Sequence, residues 1–114
     1  MILVKNKGII LNMPKCLPVY SKDVTIGYII ECPACDCSHL FYTNLSNPKC
    51  NWNFNGDIEK PTFSPSMLVY PHPAQPRCHS FVRDGKIQYL NDCDHDFKGK
   101  TVDLPEMDED FNNF

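Results

Sequence analysis

Cys78-His-Ser-Phe-Val-Arg-Asp-Gly85-Lys-Ile-Gln-Tyr-Leu-Asn-Asp-Cys93 carries the clearest local folding signal in the chain. Two runs with β-branched and aromatic residues, His79 to Arg83 and Lys86 to Leu90, flank Asp84-Gly85. A type I′ turn needs positive φ at both central residues, and Asp-Gly is the strongest short signal for one. The stretch therefore predicts a β-hairpin. A hairpin brings its outer ends together, so Cys78 and Cys93 are expected close in space.

Outward from the hairpin the signals stay extended. Thr25 to Glu31 is rich in β-branched and aromatic residues and runs into a cysteine cluster. His39 to Thr43 leaves that cluster, Ser66 to Tyr70 is closed by Pro71, and Thr101 to Leu104 is stopped by Pro105. Ten prolines are spread through the chain and no 3.6-residue apolar pattern persists, which argues against helix. The expected fold is mainly β: a small single domain of short antiparallel strands and hairpins, clipped by one zinc ion, with little helix. The domain is expected to span residues 1–104. Residues 105–114 form an acidic tail that offers little to bury, and a mobile one is expected. Pro71 to Pro76 reads as a surface loop, with His72 solvated between prolines.

At 114 residues the chain has the length of one domain. The net charge is −3, and without four acids of the tail (Glu106, Asp108, Glu109, Asp110) the rest of the chain stands at about +1. A near-neutral body with scattered bases argues against nucleic acid and against an anionic membrane surface as partners. The opening apolar run is broken at Lys5, too early for a secretory core. No stretch approaches the roughly 20 apolar residues of a membrane helix. A cytoplasmic location is expected, inside a bacterial host cell if the chain is phage-encoded.

Seven cysteines then need an explanation. In a reducing compartment disulfides do not persist, and an odd count leaves one thiol over, so metal ligation is the better reading. Cys32-Pro-Ala-Cys35-Asp-Cys37-Ser-His39 is a Cys-x-x-Cys knuckle. Two thiolates on a tight turn can converge on one ion. A thioredoxin-like pair would follow a strand and open a helix, whereas this one leads back into a strand. Cys78 and Cys93, joined by the hairpin, complete a four-thiolate zinc site with Cys32 and Cys35. Cys37 in place of Cys93, or His95 in place of one thiolate, is the alternative. Cys16 and Cys50 stand alone and read as small buried residues or inert thiols. His39 reads equally as a surface residue or as one supporting the site, and Trp52 and Phe54 read as core.

The same residues carry a resemblance. Trp52-Asn-Phe-Asn-Gly-Asp57, Lys60-Pro-Thr-Phe-Ser-Pro-Ser66, Cys78-His-Ser-Phe-Val-Arg-Asp-Gly85, Asp92-Cys-Asp-His95 and Gly99-Lys-Thr-Val-Asp-Leu-Pro105 follow the Cys-Pro-x-Cys knuckle in order. Together they resemble a family of small zinc-binding phage and prophage proteins of unassigned function, some mislabelled ammonia monooxygenase. Its relatives in bacterial operons for ubiquitin-like conjugation are thought to be peptidases. The resemblance runs from about Tyr28 to Pro105.

What the resemblance implies is a small hydrolase, most concretely a peptidase acting on an extended peptide or a ubiquitin-like tail. Ser66 would be the nucleophile, activated by His79 as base. Asp92 is the expected third group, with Asp57 and His95 as alternatives. Zinc would be structural. Direct zinc catalysis through His39, His79 and His95 is a variant disfavoured by a site saturated with thiolates. The competing expectation is a non-enzymatic zinc module of phage origin that binds a host or phage protein. The two differ in one feature: a hydrolase brings Ser66 and His79 together in an accessible place.

Overall fold

The computed structural model describes residues 13–71 and 77–108. The expectations for the N-terminal run, for His72 in its proline-rich loop and for the last six residues of the tail lie outside them. Strands β1 (Leu17–Ser21), β2 (Val24–Cys32) and β3 (Cys37–Tyr42) form a three-stranded antiparallel sheet in chain order. Strands β4 (Asn53–Phe54), β5 (Phe63–Val69), β6 (Cys78–Arg83), β7 (Lys86–Tyr89) and β8 (Thr101–Asp103) form a five-stranded antiparallel sheet, also in chain order. A single 3₁₀ turn, Pro48–Cys50, is the helical content of the described residues. None of their helices is long and apolar enough to cross a membrane. The fold is mainly β, as the sequence predicts.

Turn chemistry sets the registers. Asp84 and Gly85 both take positive φ, 52° and 77°, and pair Arg83 with Lys86. At Gly85 a Cβ would also come within 3.3 Å of the Lys60 Cα, so both the turn and the close approach favour glycine there. Lys22 and Asp23 make the same kind of two-residue turn between β1 and β2, at φ 51° and 69°. Neither residue is glycine, which is why β1 carried no hairpin signal. The β2–β3 connection is the knuckle itself. Cys32 pairs with Cys37, and the Asp36 N–H closes the turn onto the Cys32 carbonyl at 2.9 Å.

Strand alternation then sorts side chains between two faces. On β6, Cys78, Ser80 and Val82 are buried, while His79 and Phe81 are only half-buried and Arg83 is exposed. On β3, His39 and Phe41 are buried and Ser38 is exposed. On β5, Phe63 and Met67 point inward, and the register slips between them. Pro65, which has no N–H to give a ladder, lies in that slip.

Aromatic residues join the sheets. Phe63 of β5 stacks on Phe41 of β3 at 4.4 Å and on Phe54 of β4 at 4.8 Å. Tyr28 of β2 lies 4.4 Å from Phe54. Trp52 meets Phe41 edge-on at 5.5 Å, and its backbone N–H donates to the Tyr42 carbonyl at 2.7 Å. The first part of the acidic tail is packed: Met107 is buried and its N–H donates to the Pro14 carbonyl at 2.7 Å. Cys16 is fully buried and Cys50 is exposed.

Candidate functional site

Because neighbouring residues on a strand face opposite ways, the dipeptide Cys78-His79 serves two places at once. Cys78 points into the interior and His79 outward. Across the ladder His79 faces Leu68, diagonal to Ser66 on the same outer side of the sheet. The Ser66 hydroxyl lies 3.1 Å from His79 Nε2. The other ring nitrogen, Nδ1, lies 3.0 Å from Asp92 Oδ2 and 3.2 Å from Oδ1. A carboxylate only accepts, so Nδ1 carries the proton and Nε2 offers its lone pair to the Ser66 O–H. This is the tautomer a histidine base requires.

Three segments supply the three groups. Ser66 comes from the slipped part of β5, His79 from β6, and Asp92 from the loop after β7. Two neighbours support the ends of the array. The Trp52 indole N–H donates to the Ser66 carbonyl at 3.3 Å. The Arg77 guanidinium stands 3.8 Å from Asp92, whose carboxyl is held below the usual carboxylate range, chiefly by the hydrogen bond from His79. Asp92 is 43% exposed and His79 24%, so the array is open to solvent. The other two candidates for the third position are elsewhere. Asp57 caps a turn by accepting from Glu59 and Lys60 N–H groups, and His95 packs against Tyr89 at 5.0 Å.

On the inner side, Cys32, Cys35, His39 and Cys78 bring one ligand atom each within 4.8 Å of all the others. His39 Nε2 is 3.9 Å from the Cys78 sulfur. The group gathers the knuckle, the return strand β3 and the start of β6, so it also ties the two sheets together. Its chemistry fits a metal ion. The Cys78 thiol, by hydrogen bonding, drives Cys32 down to about 3, while Cys78 is raised in turn by that same partner. Burial pushes Cys35 up to about 12. Three crowded thiols cannot all ionise on their own, and a divalent cation supplies the charge that lets them. Tyr89 adds a bond from outside the group, its hydroxyl 3.1 Å from the Cys32 sulfur.

Cys93 is not among these four. As the hairpin requires, it lies near Cys78, and the two form a second group with His95 whose ligand atoms are within 4.8 Å of one another. Its sulfur, however, sits against the backbone of His79, 3.2 Å from the N–H and 3.1 Å from the carbonyl oxygen. Cys37 pairs with Cys32 across the hairpin and is also outside the group of four. The position expected for Cys93 is taken by His39. A signal for this was present: His39 alternates with Phe41, an obvious inward residue, and so shares its face.

The match to known families is consistent with this geometry. Residues 13–90 match the family described as bacterial ubiquitination-like system serine protease (BubE), a span that contains the knuckle, Ser66 and His79. No curated protein and no solved structure matches the chain. The matched span is well over half of the chain and holds both the thiol cluster and the Ser66–His79 pair, and on that match the chain belongs to the BubE family of bacterial ubiquitination-like system serine proteases.

Proposed function

We propose that this chain is a serine peptidase in which Ser66 is the nucleophile, His79 the general base and acid, and Asp92 the group that orients His79. The observation that carries the proposal is the continuous hydrogen-bonded array from Ser66 Oγ through both ring nitrogens to Asp92. His79 Nε2 takes the Ser66 proton as Oγ attacks the peptide carbonyl carbon. The imidazolium, steadied by Asp92, then protonates the leaving amine as the C–N bond breaks. Water, deprotonated by the same nitrogen, hydrolyses the ester and releases Ser66. The open outer face suits an extended peptide, and the family description favours the tail of a ubiquitin-like protein as substrate.

We assign zinc to Cys32, Cys35, His39 and Cys78. Three thiols and one imidazole are a structural donor set without an open position, so the metal would clip the knuckle to β6 and leave the reaction to the outer face. In this role it fixes the backbone from which His79 projects.

A fluorophosphonate probe tests the proposal, since it reacts with an activated serine. The metal-loaded protein should be labelled at Ser66 and should cleave a ubiquitin-like C-terminal peptide, and Ser66→Ala should do neither. Absence of both in the metal-loaded wild type would leave the chain as a binding module.

A further inference from the structure

We propose that Cys93 is a positioning residue for the catalytic base: its thiol holds the backbone of His79 and stays outside the metal centre. The inference rests on the serine peptidase reading for its kinetic part only. Its structural part stands on two bonds. The His79 N–H donates to the Cys93 sulfur at 3.2 Å, and the Cys93 S–H donates to the His79 carbonyl at 3.1 Å. One atom thus meets both backbone polar groups of a single residue, in the manner of a strand partner.

The need for such a partner follows from the ladder. His79 lies opposite Leu68, and its N–H and C=O point away from β5 toward the β7 side. There β7 ends at Tyr89, one residue short of where it could pair with His79. The Leu90 N–H reaches the His79 carbonyl at 2.9 Å, but the chain then turns off and leaves the His79 N–H without a backbone acceptor. Cys93 fills that place. It is 3% exposed, so water does not substitute for it.

Cys93 also stands apart from Cys32, Cys35, His39 and Cys78, the four residues whose ligand atoms converge. The sequence places the thiol next to Asp92, as it places Cys78 next to His79. The two dipeptides Cys78-His79 and Asp92-Cys93 therefore interlock. One member of each belongs to the outer array, Cys78 anchors the base from one side, and Cys93 brackets the same residue from the other.

Three measurements on the metal-loaded protein test this. Cys93→Ala should keep the wild-type metal content and lose protection of the His79 amide against hydrogen exchange by about 2- to 10-fold, the range for one hydrogen bond. It should lower kcat about 10-fold with KM unchanged, because a small displacement of the base acts on the reacting geometry rather than on binding. Cys93→Ser, whose hydroxyl both donates and accepts, should recover protection and most of kcat. Loss of metal in both variants would make Cys93 a ligand and overturn the proposal. Unchanged His79 exchange with full metal in Cys93→Ala would overturn it equally. If wild type lacks fluorophosphonate labelling, the peptidase reading fails, while metal content and His79 exchange still decide the role of Cys93.

Discussion

Replacing Asp92 by Asn is the most informative single change. The substitution keeps size and removes the charge. An amide can present either its oxygen or its NH₂ to His79 Nδ1, so the proton is no longer held on that nitrogen. In the wrong tautomer Nε2 carries the proton and has no lone pair with which to take the Ser66 proton. Where such a carboxylate is buried, the loss reaches about 10⁴-fold in kcat. Asp92 is 43% exposed, and water and salt therefore share its work on the imidazolium. The expected loss is accordingly smaller, about 10²- to 10³-fold. Both carboxylate oxygens are near Nδ1, at 3.0 and 3.2 Å, so a small rotation of the side chain does not rescue the amide. The assay is single-turnover cleavage of a peptide substrate beside the rate of fluorophosphonate labelling at Ser66, with circular dichroism as the check on folding. Folded Asp92→Asn that retains more than about a third of wild-type labelling and cleavage would refute the role given to Asp92.

Chelation should remove one metal per chain and lower Tm, and His39→Ala should lose the metal without chelator, read by elemental analysis. Phe63→Ala removes the ring stacked on both Phe41 and Phe54 and should cost about 3–5 kcal/mol of stability, measured by denaturant titration. The depressed Asp92 carboxyl contributes stability that is present above the ordinary carboxylate pKa and is lost as pH falls through its lowered folded value. The acid limb of a Tm-against-pH profile should therefore be shallower in Asp92→Asn than in wild type.

The strands and turns were legible because their signals are local. Asp84-Gly85 is a two-residue code for positive φ, and the alternating runs beside it need no partner to be read. The mainly β class, the approximate hairpin and the nearness of Cys78 to Cys93 all follow from it. β1 and β4 were not legible. Lys22-Asp23 turns like Asp-Gly without the glycine that announces such a turn, and two residues at Asn53–Phe54 are too short for a period.

For the site, local sequence shows which residue types are available and that Cys78 and His79, as neighbours on a strand, must face opposite ways. Which of them meet depends on how the strands pair and the sheets pack. Ser66 reaches His79 only through the slipped pairing of β5 with β6, and Asp92 reaches it because β7 ends early. His39, not Cys93, stands with the knuckle thiols because the aromatic packing of Phe41 against Phe63 brings the inner face of β3 up to β6. Spacing constrains residues along one chain segment. The approach of two sheets is set by the side chains packed between them, and that is a property of no single segment.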